Sequence, residues 1–504
     1  MKSLLVRLLW AVGGGIIASL AFPQPGIGLL IFVGLPMILL AFRGTTLWRG
    51  ALLGFVVGFA YYGSVARWLT IYLGVVPWLG LVAMQAVLFA AGGALLVAAW
   101  RGADRLNLHS VRGILLAGAL VAAAWTTREA VAAQWPWGGF AWARLSHSQA
   151  DTPLRYLTTL FGMSGASAVL VFATVVAILL VQWGGSRKVI ALRVGSVVAA
   201  VGALLPVPYL MLVTAPNGSF RVAAVQGNSD SALFSTARQG DAIHKHFDAM
   251  NATRIGPVDV VVWPENAMDI NPLANPNIAA FADLVSTESD APFIFGTITA
   301  DGDKTFNSAL MWEAGRGAVD QYDKVHPVPF AEYLPEREFF YPLAPDLFDM
   351  VPRDYTLGTR DPIFEFGDVK AGIAICYDIV DDGLFRNILA DGGNVIIAPT
   401  NNSDFGRTDE NIQQLGIARM RAVETGRAVV NTSTVGVSAI VAPDGSDIAR
   451  LTPFEPGVMV ADVPLSTVVT PASIIGLPLE WALMIAGIVP FGLQFVRGRT
   501  ISSA

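Results

Sequence analysis

Ala-Gly-Ile-Ala-Ile-Cys-Tyr-Asp, residues 371–378, carries the only cysteine in 504 residues at the end of a short apolar run. A run of this length between polar flanks reads as a strand covered on both faces, as in parallel α/β sheets. Two companions lie upstream. Trp-Pro-Glu (263–265) closes the run Val-Asp-Val-Val-Val (258–262), and Tyr-Asp-Lys occupies 322–324. A free thiol, with a pKa of about 8.5, is mostly neutral at pH 7, and its thiolate is the nucleophile. The thiol therefore needs a base to take its proton or a cation to favour its charge. Glu265 can be the base and Lys324 the cation. Lys324 can also join the backbone N–H of Tyr377 in holding the oxyanion of a tetrahedral intermediate. Taken singly, Cys376 reads as a buried small hydrophobe, Glu265 as a loop acid and Lys324 as a solvated surface lysine. Together they read as chemistry, because Glu265 and Cys376 both end apolar strands, where α/β folds gather their sites.

Outward from this stretch, strands and helices alternate. Strands are expected at 221–226, 258–263, 293–297, 308–313, 370–376, 395–399, 428–432 and 438–441, and helices at 235–252, 277–289, 382–391 and 410–425. The alternation indicates an α/β core over about 218–468. One connection, 326–362, is long, irregular and aromatic, with Phe330, Tyr333, Phe339, Phe340, Tyr341, Phe348 and Tyr355. Such loops are usually functional. Two readings stand for this one: a loop packed on its own domain, or a loop facing lipid or an acyl chain.

The remainder of the chain is of another kind. The whole is 54% hydrophobic and only 14% charged, against about 25% charged in ordinary soluble domains. Eight apolar runs, at roughly 4–22, 26–42, 48–66, 76–100, 113–133, 158–183, 194–214 and 475–496, read as transmembrane helices. The expected organisation is seven helices in 1–215, an α/β domain in 218–468, and an eighth helix with a tail in 470–504. Charge follows the same division. Residues 216–470 hold 35 acids and 17 bases, whereas the remainder holds 4 acids and 16 bases. No basic stripe exists for phosphates, which excludes a nucleic-acid binder. The bases cluster on alternate connections: Lys2 and Arg7; Arg43 and Arg49; Arg101, Arg105 and Arg112; Arg187, Lys188 and Arg193; Arg497 and Arg499. By the positive-inside rule both termini are cytoplasmic and the α/β domain lies outside. Arg128 and Glu129 have two readings: a costly, functional pair within a transmembrane segment, or, the favoured one, a place near the outer interface with Trp135 and Trp137 in the aromatic belt. The run Gly13-Gly14-Gly15 suits close helix packing.

The joint pattern resembles the nitrilase, or carbon–nitrogen hydrolase, superfamily. The resemblance rests on Arg-Val-Ala-Ala-Val-Gln (221–226), Trp-Pro-Glu-Asn-Ala (263–267) and Tyr-Asp-Lys-Val-His-Pro-Val-Pro-Phe-Ala-Glu-Tyr-Leu-Pro (322–335). It continues through Ile-Cys-Tyr-Asp (375–378) and Ala-Arg-Met-Arg-Ala-Val-Glu (418–424). It implies an αββα sandwich. Seven helices before the domain and one after it are similar to the superfamily's membrane branch, the apolipoprotein N-acyltransferases of the bacterial inner membrane. That branch implies two steps. Cys376 takes an acyl chain from a phospholipid as a thioester, and the α-amine of a diacylglyceryl-cysteine at a lipoprotein N-terminus then receives it. The resemblance implies that Glu265 is the base, Lys324 the oxyanion-stabilising lysine and Cys376 the nucleophile. Glu332 matches a supporting glutamate, Tyr377 the aromatic residue after the nucleophile, and Phe234 stands near a family tryptophan.

This chain departs from the family pattern in three places. Asp378 stands where better-known members carry Glu. The loop Asn401-Asn402-Ser403-Asp404-Phe405-Gly406 lacks a tryptophan. Trp135-Pro136-Trp137-Gly138 replaces a Gly-Phe-Pro-Trp-like run. No cofactor and no metal are expected. His244-x-His246 lacks further ligands nearby, where zinc takes three or four from the protein, and no Gly-rich phosphate loop is present. Two other readings remain open at this level: a membrane-tethered amidase using water as acceptor, and a non-catalytic envelope scaffold or transporter.

Overall fold

The computed structural model describes residues 3–232, 235–350 and 354–501. It divides into two compact units, one made of Met1–Met211 with Thr470–Ala504 and the other of Leu212–Val469.

In the first unit every apolar segment is helical. The helices are Leu4–Ser19, Ile31–Phe42, Leu47–Val65, Val75–Ala103, Val111–Gln134, Leu157–Gln182, the pair Arg187–Gly202 and Pro206–Thr214, and Pro471–Ile501. The expectation of eight spans is met more narrowly. Among the described residues, five stretches are long and apolar enough to cross a membrane: Val75–Ala103, Val111–Gln134, Pro153–Gln182, Arg187–Thr214 and Pro471–Leu493. Leu4–Ser19 and Gly28–Phe42 are apolar but shorter. At 1.5 Å per residue, 16 residues rise about 24 Å, against a hydrocarbon core of about 30 Å. Leu47–Val65 is diluted by Arg49, Tyr61 and Tyr62. Glycines let these helices touch. A Cβ on Gly54 would lie 2.3 Å from the carbonyl oxygen of Phe89, and one on Gly14 2.9 Å from that of Gly34.

Arg128 and Glu129, near the end of helix Val111–Gln134, are buried by neighbouring helices. Each side chain is only 2% exposed, and they pair at 3.4 Å inside the helical unit. The Arg128 guanidinium lies over Phe89 and Trp125 and donates to the Tyr62 hydroxyl at 3.0 Å. Glu129 accepts from the backbone N–H of Leu145 at 2.8 Å. A charge pair removed from water needs this many partners to persist.

The second unit contains, among its described residues, two six-stranded sheets. Its strands are β1 (Ser219–Gln226), β2 (Val260–Val262), β3 (Phe293–Asp301), β4 (Lys304–Glu313), β5 (Gly317–Asp323), β6 (Ile363–Phe366), β7 (Val369–Ile373), β8 (Val395–Thr400), β9 (Val429–Ser433), β10 (Ala439–Val441), β11 (Asp447–Arg450) and β12 (Gly457–Pro464). One sheet runs β12-β1-β2-β3-β4-β5 and the other β11-β10-β9-β8-β7-β6. Each has three parallel strands at its heart, β1-β2-β3 and β7-β8-β9, with antiparallel strands outside them. The parallel strands are apolar on both faces because both faces are covered. Helices Asp241–Ala252 and Pro276–Ser289 bury Ile243, Ala249, Met250, Ala282 and Val285 with Val261, Trp263 and Phe293 of the first sheet. Helix Glu410–Thr425 packs on β9 and β10, and β1 faces β9 across the inner layer. The layers are helix, sheet, sheet, helix. Ser438, just before β10, donates to Gln226 at the end of β1 at 2.6 Å and ties the two sheets.

Gly296 on β3 sets how closely the Trp-Pro-Glu turn lies on the sheet. A Cβ there would stand 2.5 Å from Glu265 Cα and 2.7 Å from the Pro264 carbonyl oxygen, both main-chain atoms that cannot rotate away. We expect Gly296→Ala to destabilise the domain by about 1–3 kcal/mol, the range for overpacking, and to displace Glu265. The thermal midpoint of the purified protein checks this, and an unchanged midpoint would show that the turn yields freely.

Candidate active site

The ends of three strands supply the site. β2 stops at Val262 and the turn that follows carries Glu265. β5 stops at Asp323 and the next residue is Lys324. β7 stops at Ile373, and Cys376 opens a one-turn 3₁₀ helix, Cys376–Val380. The strand expected through Cys376 therefore ends three residues earlier, and the thiol sits on a turn rather than in the sheet. Cys376 has φ +51°, a left-handed conformation that non-glycine residues rarely adopt and that recurs at functional sites.

Glu265 and Lys324 are brought into direct contact. Lys324 Nζ lies 3.1 Å from Glu265 Oε1 and 2.9 Å from Glu332 Oε2, and its side chain is 1% exposed. Asn307 on β4 donates from one amide nitrogen to Glu265 Oε1 at 2.7 Å and to Glu332 Oε1 at 3.1 Å. The backbone N–H of Val328 donates to Glu332 Oε2 at 2.7 Å. Burial pushes the Glu265 carboxyl up, with Lys324 opposing and Glu332 adding to the rise. Burial works against the Lys324 ammonium, but the two carboxylates outweigh it and hold its pKa well above the ordinary lysine range. The site therefore joins a lysine held in its charged form to a carboxyl raised by burial.

The Cys376 thiol is pushed up by burial first and by the Glu265 carboxylate second. Lys324 and a hydrogen bond from Thr400 act in the opposite direction. The sulfur thus shares the electrostatic environment of Glu265 and Lys324. Left alone it stays a thiol, so its activation depends on proton removal.

Asp378 does not point at the sulfur. It accepts from the Tyr322 hydroxyl at 2.9 Å, the His326 backbone N–H at 2.9 Å and the Ile375 backbone N–H at 3.1 Å. It therefore pins the Cys376 turn to the segment carrying Lys324. Burial pushes its carboxyl up to about 7. Arg421 clamps the far end of the same turn, donating to the carbonyls of Ile379 at 2.9 Å and Val380 at 2.8 Å. Tyr377 is buried, its ring edge-on to His326 at 5.2 Å. Phe234 lies outside the described residues.

Sequence reasoning missed Asn307, Thr400, Asn402, Glu410, Gln414 and Arg421. Glu410 opens helix Glu410–Thr425, where an acid reads as an ordinary helix-start residue, yet here it is 2% exposed. Its carboxyl accepts from Asn402 Nδ2 at 2.9 Å. His246 is core. It lies 5.4 Å from the Trp263 ring, bonds its own helix at Ala242, and burial lowers its pKa to about 4. Among the described residues no group of three His, Cys, Asp or Glu side chains is arranged to hold a metal. The long aromatic loop packs partly on itself, with Phe330 edge-on to Phe340 at 5.0 Å. Phe339 and Leu343 of that loop remain exposed at 65% and 68%.

Burial pushes the Glu410 carboxyl from 4.5 up to about 8. The unfolded chain therefore releases this proton before the folded one, so the group's stabilising effect is complete below about 4.5 and is lost as pH rises toward 8. Glu410→Gln removes that titration. Between pH 5 and 8 the thermal midpoint of the natural protein should fall more steeply than that of the variant. Parallel slopes would show that Glu410 titrates alike in both states.

Residues 221–470 match the carbon-nitrogen hydrolase family, and residues 14–176 match the apolipoprotein N-acyltransferase N-terminal domain. The apolipoprotein N-acyltransferase of Mycolicibacterium smegmatis is 30% identical over 95% of this chain and 83% of its own. Those of Geobacter metallireducens and Azotobacter vinelandii are 28% and 29% identical, over 97% and 94% of this chain and 95% and 94% of theirs. Among solved structures, a Nesterenkonia amidase of the nitrilase superfamily is similar at 19% identity and a TM-score of 0.37, covering 50% of this chain and 93% of its own. A Saccharomyces cerevisiae member of the same superfamily is similar at 18% identity and a TM-score of 0.40, covering 49% and 91%. The match holds along both units and at near-complete length, and the chain belongs to the apolipoprotein N-acyltransferase family.

Proposed function

We propose that this enzyme, an apolipoprotein N-acyltransferase, works through Glu265, Lys324 and Cys376, with a phospholipid as acyl donor and the diacylglyceryl-cysteine of a bacterial lipoprotein as acceptor. One observation carries the assignment: a buried ammonium held by two carboxylates, Glu265 and Glu332, shares its surroundings with the chain's sole thiol. In the first step Glu265 takes the thiol proton and Cys376 Sγ attacks the ester carbonyl carbon. Lys324 and the Tyr377 backbone N–H hold the oxyanion. The C–O bond breaks, and the lysophospholipid leaves with the proton from Glu265. In the second step the lipoprotein's neutral α-amine attacks the thioester carbonyl. Glu265 takes a proton from nitrogen and returns it to the departing sulfur, and the amide product leaves a free thiol. Glu332 keeps Lys324 in place through both steps.

In this reading the eight helical segments all lie in the bacterial inner membrane, including those shorter than a full span. Both termini are cytoplasmic and the α/β domain is extracytoplasmic, an orientation supported by the bases on alternate connections. Two substrates anchored in one leaflet account for joining a hydrolase-type domain to so many helices.

The test is acyl transfer from a labelled phospholipid to a synthetic diacylglyceryl-cysteine peptide, with the natural protein and Cys376→Ala. Triacylated peptide from the natural protein alone is the expected result. Label recovered only as free fatty acid would replace the transferase mechanism with hydrolysis, and transfer by Cys376→Ala would remove the thiol from it. Lys324→Met should lower kcat by about 10²–10³-fold, as for other lost oxyanion donors.

A further inference from the structure

A second group of buried polar residues converges on the sulfur from the ends of β8 and β9 and from helix Glu410–Thr425. The proposed mechanism gives it no task. Thr400, the last residue of β8, hydrogen-bonds the thiol. Gln414 Nε2 lies 3.7 Å from Cys376 Sγ and donates to Thr400 Oγ1 at 2.7 Å. Asn402 Nδ2 donates to Gln414 Oε1 at 2.5 Å and to Glu410 Oε2 at 2.9 Å. Ser433, the last residue of β9, accepts from the Gly436 N–H at 3.0 Å and donates to Asn402 Oδ1 at 2.6 Å. Each of Thr400, Asn402, Glu410, Gln414 and Ser433 is at most 2% exposed.

The bonds run one way. Ser433 accepts from the Gly436 N–H and gives its hydroxyl proton to Asn402 Oδ1. Asn402 donates to Glu410 and to the carbonyl of Gln414. Gln414 presents its amide nitrogen to Thr400 and to the sulfur, and Thr400 gives its own proton to Sγ. The chain ends in two donors aimed at one sulfur, and donors favour the charged form of the group that accepts from them.

We propose that Thr400 and Gln414 are further catalytic residues that stabilise the Cys376 thiolate as Glu265 removes its proton, with Ser433, Asn402 and Glu410 as positioning residues behind them. The same two donors lower the energy of the thiolate expelled when the thioester breaks down. This inference rests on Cys376 as nucleophile and adds a sulfur-facing set of donors to the oxyanion-facing one.

Because Cys376 is the sole cysteine, alkylation by iodoacetamide reads this sulfur alone. The measurement is alkylation rate against pH for the full-length detergent-solubilised protein, for Thr400→Val, Thr400→Ser and Gln414→Leu, with near-ultraviolet circular dichroism to check folding. The titratable groups acting on the sulfur, Glu265, Lys324 and Glu410, are unchanged in every variant, so a shift reports the lost donor. Thr400→Val and Gln414→Leu should each slow alkylation at neutral pH about tenfold, a displacement of roughly one pH unit. Thr400→Ser should keep the natural profile. In acyl transfer both slowed variants should lose kcat with KM for phospholipid unchanged. Gln414→Leu reads the shift independently should Thr400→Val fail to fold. Folded variants whose profiles superimpose on that of the natural protein would overturn the inference. If alkylated natural protein still transferred acyl groups, the Cys376 mechanism itself would fall instead.

Discussion

Lys324 sits between Glu265 and Glu332 with almost no exposure of its own, and that arrangement constrains everything around it. One buried ammonium is costly, and so is one buried carboxylate, but a close triad returns much of the desolvation loss through short contacts and shared donors. Two carboxylates against one ammonium leave an excess negative charge. Asn307 and the Val328 N–H take part of it. Burial raises the Glu265 carboxyl and the neighbouring thiol, and the remaining negative charge adds to both.

The topology makes that cluster possible. Glu265 and Lys324 come from the first sheet and Cys376 from the second, so the site exists only once the two sheets have packed. Within the second sheet β7, β8 and β9 run parallel, and Thr400 is directly opposite Ser433 in their register. Parallel strands end together, and their ends deliver side chains from 376, 400 and 433 to one place although the sequence spreads them over nearly sixty residues. Helix Glu410–Thr425 crosses the same ends and supplies Gln414 to the sulfur side and Arg421 to the back of the nucleophile turn. Asp378 and Arg421 act at opposite ends of that turn, which is how a residue with φ +51° is kept where it is.

Much of this was legible in the residues. The central strands β1, β2, β3, β4, β7, β8, β9 and β10 all fall on expected runs, because burial on both faces writes an unbroken apolar signal. The four strands not anticipated, β5, β6, β11 and β12, are the four sheet edges. An edge strand such as Asp447–Arg450 is largely exposed and carries no such signal. Helix Glu410–Thr425 was placed to the residue, whereas the helix expected from 235 begins at Asp241. Glu265 and Cys376 were singled out by position at the ends of apolar runs, and Lys324 with them by likeness to a family. Asn307, Thr400 and Gln414 were not found. Amides and hydroxyls are common in the sequence, and only the fold shows which of them lose their water. For Arg128 and Glu129 the sequence gives a charged pair in an apolar run, and only the fold shows their packing with Tyr62, Phe89 and Trp125.

A resting thiol rather than a resting thiolate has a consequence for a domain proposed to face the oxidising side of the membrane. The thiolate is the species that oxidants attack, and oxidation beyond sulfenic acid is irreversible in such a residue. A lone cysteine has no internal partner to form a reversible disulfide. Burial that pushes the Cys376 thiol up therefore protects it for as long as Glu265 has not taken its proton. The cost falls on catalysis, since the thiolate must be made in a site that disfavours it. Donors aimed at the sulfur, a lysine for the oxyanion and a raised carboxylate to receive the proton lower that cost at the moment of attack. Burial and activation are thus two halves of one solution: the surroundings that keep the sulfur inert between turnovers also make its reaction depend on an acyl ester positioned against Lys324.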